Sequence, residues 1–130
     1  MRVAEPDRDG AAVEQLLAEV GEETRPEVLR SHADLRGHGA IVTGGATGIG
    51  RAIVLELARH GVHVAFNYVD DRDGATRREA EATLAQVRQL EVTGLCRMCD
   101  VRDVVAVERF VAETVDAFGS VHILVNNAGI

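Results

Sequence analysis

The segment Thr43-Gly44-Gly45-Ala46-Thr47-Gly48-Ile49-Gly50 concentrates residue types that can hold phosphate. It follows a short apolar run and precedes a segment of helical period, so its glycines fall at a strand-to-helix turn. Gly44 permits a sharp exit from the strand, Gly48 lets backbone approach a pyrophosphate, and Gly50 lets the helix pack close to a sheet. Phosphate oxygens would then meet free N–H groups at the positive end of a helix. Three further segments could contribute: Asn67-Tyr68, Asp100-Val101 and Asn126-Asn127-Ala128-Gly129. The expected ligand-binding residues are Gly44, Gly45, Thr47, Gly48, Ile49, Gly50, Tyr68, Asp100, Val101, Asn126, Asn127, Ala128 and Gly129.

Other chemistry-bearing residues read as structural. Cys96 and Cys99 form C-x-x-C, but on a strand a separation of three residues points the side chains to opposite faces. Free buried thiols are the expectation, in keeping with a reducing cytosol. The histidines at 32, 38, 60, 63 and 122 share no metal-ligand spacing with one another or with acidic residues, so no metal site is expected.

The elements that must position these segments alternate. A first strand at 40–43 leads to a helix at about 48–60, with Ile49, Ile53 and Leu57 inward and Gly61 as its stop. A second strand at 62–68 is followed by a polar turn at 70–74 and a helix with the stripe Ala80, Leu84, Val87 and Leu90. A third strand at 92–99 leads through Asp100, a candidate cap, into a helix at about 104–118 with Val104, Val107, Val111, Val115 and Phe118 inward. A fourth strand, 121–125, is apolar at nearly every position, as a strand buried on both faces should be. Strand and helix alternation predicts an α/β fold: a Rossmann-type doubly wound parallel sheet, truncated to about four strands in the order 3-2-1-4 with three helices. All four chemistry-bearing segments then share the carboxyl edge of one sheet, where open α/β sheets bind ligands.

The spacing T-G-x-x-x-G-x-G, with Asn-Asn-Ala-Gly closing a fourth strand, resembles the short-chain dehydrogenase/reductase family, and within it the 3-oxoacyl-carrier-protein reductase-like branch. The resemblance begins near Leu35-Arg36-Gly37 and runs to the end of the chain. It implies that Gly44 to Gly50 hold the pyrophosphate and that Asp100 and Val101 contact adenine through side chain and backbone. It implies too that Asn126 to Gly129 support the sheet and flank the adenosine ribose, Asn126 in a structural role only. The implied cofactor is NADP, with NAD the alternative. An acidic residue at the end of the second strand would accept from the ribose 2′-OH of NAD, and here that place is Tyr68. Arg72 could serve a 2′-phosphate, whereas Asp70 or Asp71 could restore NAD preference. The family's proton-transferring Tyr and Lys, with a Ser and an Asn, are expected beyond the Asn-Asn-Ala-Gly segment. The chain has no lysine and one tyrosine, so no catalytic residue is assigned and the chain alone is expected to be inactive. The competing expectation is a non-catalytic dinucleotide-binding or protein-interaction module.

With 14 Lys plus Arg against 21 Asp plus Glu, the net charge of −7 argues against nucleic acid as a partner. No apolar run suits a membrane span, and the acidic start does not suit a signal peptide, so a cytoplasmic location is expected. Residues 1–38 hold both prolines and one short amphipathic pattern, Val13, Leu16, Leu17 and Val20, and read as an N-terminal helical extension with a linker ahead of the binding domain, 39–130. Three helices over four strands would leave the fourth as an apolar edge, open to a complementing chain or to self-association.

Overall fold

The computed structural model describes residues 35–70 and 73–129. The amphipathic pattern at 13–20, and Asp71 and Arg72, lie outside the described residues. The elements in chain order are β1 (Gly39–Val42), α1 (Gly48–Arg59), β2 (His63–Tyr68), α2 (Ala75–Gln89), β3 (Gly94–Met98), α3 (Val104–Phe118) and β4 (Ile123–Val125).

All strand pairs are parallel and the order is β3-β2-β1-β4, the order expected. Ala40 lies beside Val64 on one flank and Ile123 on the other, and Val64 lies beside Gly94. β1 is thus central, and all four of its residues are buried. Helices cover both faces, which an all-parallel sheet requires. Ala40, Val42, Val64 and Phe66 point to the face covered by α1 and α2, where Val54, Ala58, Ala80 and Val87 complete the core. Ile41 and Ala65 point the other way, to Phe110 of α3 and to Cys99.

Helix phases differ from the expected ones. On α1 the buried residues are Gly50, Val54 and Ala58, one position beyond the expected stripe, and Ile49 is 75% exposed. Ile53 and Leu57 flank the contact and are half-buried. The reason is steric: a Cβ on Gly50 would collide with the carbonyl of Gly44, so the smallest residues face the sheet and larger ones lie beside the contact. On α2 Thr83 is buried together with Ala80 and Val87, Leu84 is half-buried, and Leu90 is exposed. On α3 the sheet contact is Phe110 and Thr114, flanked by Val107 and Phe118, while Val104, Val111 and Val115 are exposed. One phenylalanine ring fills the groove that several valines were expected to fill.

Gly61, the expected stop, follows α1 at φ +81, and Gly119 follows α3 at φ +82, both left-handed. Histidines pin the amino edge of the sheet. His122 Nδ1 accepts from the Gly39 N–H at 3.0 Å, His63 Nδ1 accepts from the Thr93 N–H at 2.9 Å, and His38 stacks on His122 at 4.4 Å. No helix among the described residues is long and apolar enough to cross a membrane.

The phase of α1 is open to test by urea unfolding. Val54→Ala should lower stability by about 2 kcal/mol, whereas Ile49→Ala should change it by no more than about 0.5 kcal/mol. The reverse ranking would restore the stripe expected from the sequence.

Candidate functional site

A cleft of about 630 Å³ opens at the carboxyl edge of the sheet, where the strand order reverses between β1 and β4. Of the expected site residues, Gly44, Thr47, Gly48, Ile49, Tyr68, Asp100, Val101, Asn127, Ala128 and Gly129 line it. Gly45, Gly50 and Asn126 do not. Gly45 faces the core, where a Cβ would meet the Cβ of Phe66 and Cγ2 of Val54. Gly50 meets the Gly44 carbonyl and the Asn127 amide, and Asn126 is exposed.

The glycine loop leaves backbone open to the cleft. Gly44 and Gly48 both have positive φ, +68 and +57, and beyond its chain neighbours and its own helix backbone no atom lies within 4 Å of where a Gly48 Cβ would be. Backbone there is bare. Thr47 is the N-cap of α1 and makes no side-chain capping bond, so first-turn N–H groups remain available. Asn127 ties the far wall to the loop, its Nδ2 donating to the Gly44 carbonyl at 3.1 Å. The Thr43 hydroxyl accepts from the N–H groups of Asn127 and Ala128, each at 2.9 Å.

Asn67 joins the loop to the other side of the cleft. Its Oδ1 accepts from the Gly44 N–H at 2.9 Å, its Nδ2 donates to the Cys99 carbonyl at 2.8 Å, and its own carbonyl accepts from the Gly45 N–H at 3.1 Å. The residue is 2% exposed. Ala46, Val69, Thr76, Cys99 and Arg102 also line the cleft and are not expected there from sequence; Asn67 is, but only as part of a segment. Asn67 and Arg102 have signals in the sequence: a polar residue closing an apolar strand, and a cation two residues from a carboxylate.

Asp100 is not the helix cap. Asp103 caps α3, accepting from the Ala106 N–H at 3.2 Å, because it stands one residue before the helix and Asp100 stands four before it. Asp100 instead takes the Arg102 guanidinium, with Nη2 to Oδ2 at 2.6 Å, and this hydrogen-bonded cation holds its carboxyl at about 2. Asp70 is not among the residues lining the cleft. Its Oδ1 accepts from the Arg77 N–H in the first turn of α2, and its Oδ2 lies 3.7 Å from the Arg77 side chain. Cys96 and Cys99 are free thiols packed on opposite faces, and burial pushes both up from the ordinary thiol value, which keeps them protonated and weakly nucleophilic. Among the described residues no group of His, Cys, Asp and Glu is arranged to hold a metal.

A family model described as short chain dehydrogenase matches residues 38–130. The 3-oxoacyl-[acyl-carrier-protein] reductase FabG of Staphylococcus aureus is 40% identical over 91 residues, covering 70% of this chain and 35% of that protein. A solved short chain dehydrogenase from Burkholderia cenocepacia, in complex with NADP, is 41% identical with a TM-score of 0.68, over 74% of this chain and 37% of that one. One from Mycobacterium paratuberculosis, bound to NAD, is 27% identical with a TM-score of 0.70, over 74% and 38%. The chain therefore spans about a third of the length of the curated relatives it matches.

Two measurements probe this geometry. Asn67→Asp keeps an acceptor for Gly44 but has no donor for the buried Cys99 carbonyl, and should lose about 1–3 kcal/mol in chemical denaturation; an unchanged midpoint would show that the bridge carries no stability. Asp100 titrates in the folded chain below its ordinary 3.8, at about 2. Its contribution is therefore complete above the ordinary value and is lost as pH falls through the folded one. Carboxyl carbon shifts should report that low midpoint, and Arg102→Ala should bring it back toward 3.8.

Proposed function

The chain belongs to the short-chain dehydrogenase family, and on that premise we propose that its binding domain, residues 39–130, holds a nicotinamide dinucleotide, NADP(H) in preference to NAD(H), in the cytoplasm. The site serves an oxidoreductase that moves hydride between the cofactor and a carbonyl or alcohol substrate. The observation that carries this reading is the cleft itself, which gathers ten of the thirteen expected residues at the switch point of the sheet. The residues fit the cofactor: bare backbone at Gly48 and the uncapped start of α1 suit a pyrophosphate, which backbone N–H groups and a helix N-terminus favour.

When bound, the dinucleotide supplies or accepts the hydride. This chain's own residues bind and orient. The amides of Thr47, Gly48 and Ile49 take the phosphates, Asp100 and Val101 take the adenine, and Asn127 to Gly129 form the opposing wall. Tyr68 stands at the ribose, and among the described residues Asp70, the carboxylate nearest to it in sequence, is engaged by the first turn of α2. An uncharged residue there admits a 2′-phosphate that an acidic one would repel. Proton transfer is assigned to no residue of this cleft, because the one tyrosine is the ribose neighbour and the chain contains no lysine.

NADPH and NADH titrated into the full chain, followed by nicotinamide fluorescence, should both saturate, NADPH at lower concentration. Tyr68→Asp should swing the ratio toward NADH by about tenfold or more, the effect of a carboxylate placed near a phosphate. A folded chain that binds neither dinucleotide would refute the assignment.

A further inference from the structure

Asp100 and Arg102 are the only charged side chains among the described residues lining the cleft. Their contact is multiple. Asp100 Oδ1 accepts from the Arg102 backbone N–H at 2.9 Å and from Nε at 3.0 Å, while Oδ2 accepts from Nη2 at 2.6 Å, with Nε also 3.1 Å away. Arg102 thus brings three N–H donors to one carboxylate. An ionised carboxylate is acceptor-only and offers about four lone-pair sites, so about one remains open. Nearby groups do not compete for it. The Cys99 thiol turns to the Asp100 carbonyl at 3.9 Å, and the Asp103 carboxylate is committed to the Ala106 amide.

We propose that Arg102 sets the base specificity of the cleft. By fixing the Asp100 carboxylate it leaves a single acceptor site, which selects a purine bearing an exocyclic amino group over one bearing a carbonyl. The inference rests on the reading of the cleft as a dinucleotide site with Asp100 at the base. An adenine presents an N–H donor to that site. A hypoxanthine presents a carbonyl oxygen, which sets lone pair against lone pair. A site built to hydrogen-bond one group rejects the analogue lacking it far more strongly than a pocket that only fits its shape. Arg102 acts through Asp100 and is a positioning residue: without its guanidinium the carboxylate keeps only the backbone N–H at position 102, through Oδ1, and can turn about that one bond, so its remaining acceptor is no longer aimed at the base.

The test titrates NADPH, NADH and their hypoxanthine counterparts into the full-length wild type, Arg102→Ala and Arg102→Lys, with thermal unfolding as a check on folding. Arg102 is exposed, so both variants should fold. Wild type should prefer the adenine forms by about tenfold or more, the scale of one charge-assisted hydrogen bond. Arg102→Ala should bring that preference to within about twofold of unity, and Arg102→Lys, with a single ammonium in place of the fork, should fall between. Equal weakening of both bases, with their ratio preserved, would make Arg102 merely structural and overturn the proposal. A wild type that binds adenine and hypoxanthine forms alike would overturn it while leaving the cofactor reading intact. If none of the four binds, the cofactor reading fails, and the base selectivity fails with it.

Discussion

Asn67 closes a strand that is buried on both faces, and its side-chain amide joins Gly44, which leaves β1, to Cys99, which leaves β3. Those two strands are not neighbours, since β2 lies between them. A buried amide left unpaired costs on the order of 1–3 kcal/mol, so the chain exits of three strands must arrive at one level for both ends of this side chain to be satisfied. The glycine loop, the Asp100 turn and the floor between them take their relative heights from that requirement. Among the described residues, no buried side-chain polar atom lacks a partner, so the constraint is met without residual strain on the polar network.

On the other side of β1 a hydroxyl does the equivalent work. Thr43 follows the central strand directly, and its Oγ1 gathers the N–H groups of Asn127 and Ala128 as they leave β4. Because β1 leads to β2 on one flank and pairs with β4 on the other, the loops diverge there and leave a crevice. Asn127 then crosses that crevice to the Gly44 carbonyl, which is possible only because Gly50 lets α1 come so near. Thr43, Gly44, Gly50 and Asn127 are therefore one packing unit, although they span most of the domain's sequence.

Topology is legible in the residues because alternating strand-length apolar runs and helical periods admit few parallel arrangements, and the order of strands and their shared edge follow. The phases of the helices are less legible. Hydrophobic periodicity weights bulk, whereas α1 meets the sheet through Gly50, Val54 and Ala58, and α3 through Phe110 and Thr114. On α1 contact at short distance selects small residues such as Gly50 and Ala58, and on α3 a single ring, Phe110, takes the place of several valines; neither preference is visible to a scale of apolarity. The glycine loop can be read because its spacing is local. The bridge made by Asn67 is hidden in the sequence because its partners lie 23 and 32 residues away. The pairing of Asp100 with Arg102 is hidden for the opposite reason: it is so local that it resembles any surface ion pair until the cleft gives it a place. Asp70 shows the same limit, reading as a ribose ligand from its position near Tyr68 while its carboxylate belongs to α2.

The three helices treat their amino ends differently, and the difference bears on how an acidic chain holds an anionic ligand. Asp70 supplies a carboxylate to the first turn of α2, and Asp103 supplies one to α3. An N-cap such as Asp103 is typically worth about 1 kcal/mol. α1 has only Thr47, whose side chain makes no capping bond, and no acidic residue in its first turn. A carboxylate there would stabilise the helix but occupy the donors and repel phosphate. With a net charge of −7, long-range attraction for an anion is weak, so affinity has to come from short-range donors kept free of the chain's own acids. The uncapped end of α1, the bare backbone of Gly48 and the withdrawal of Asp70 into α2 are three local consequences of the same requirement.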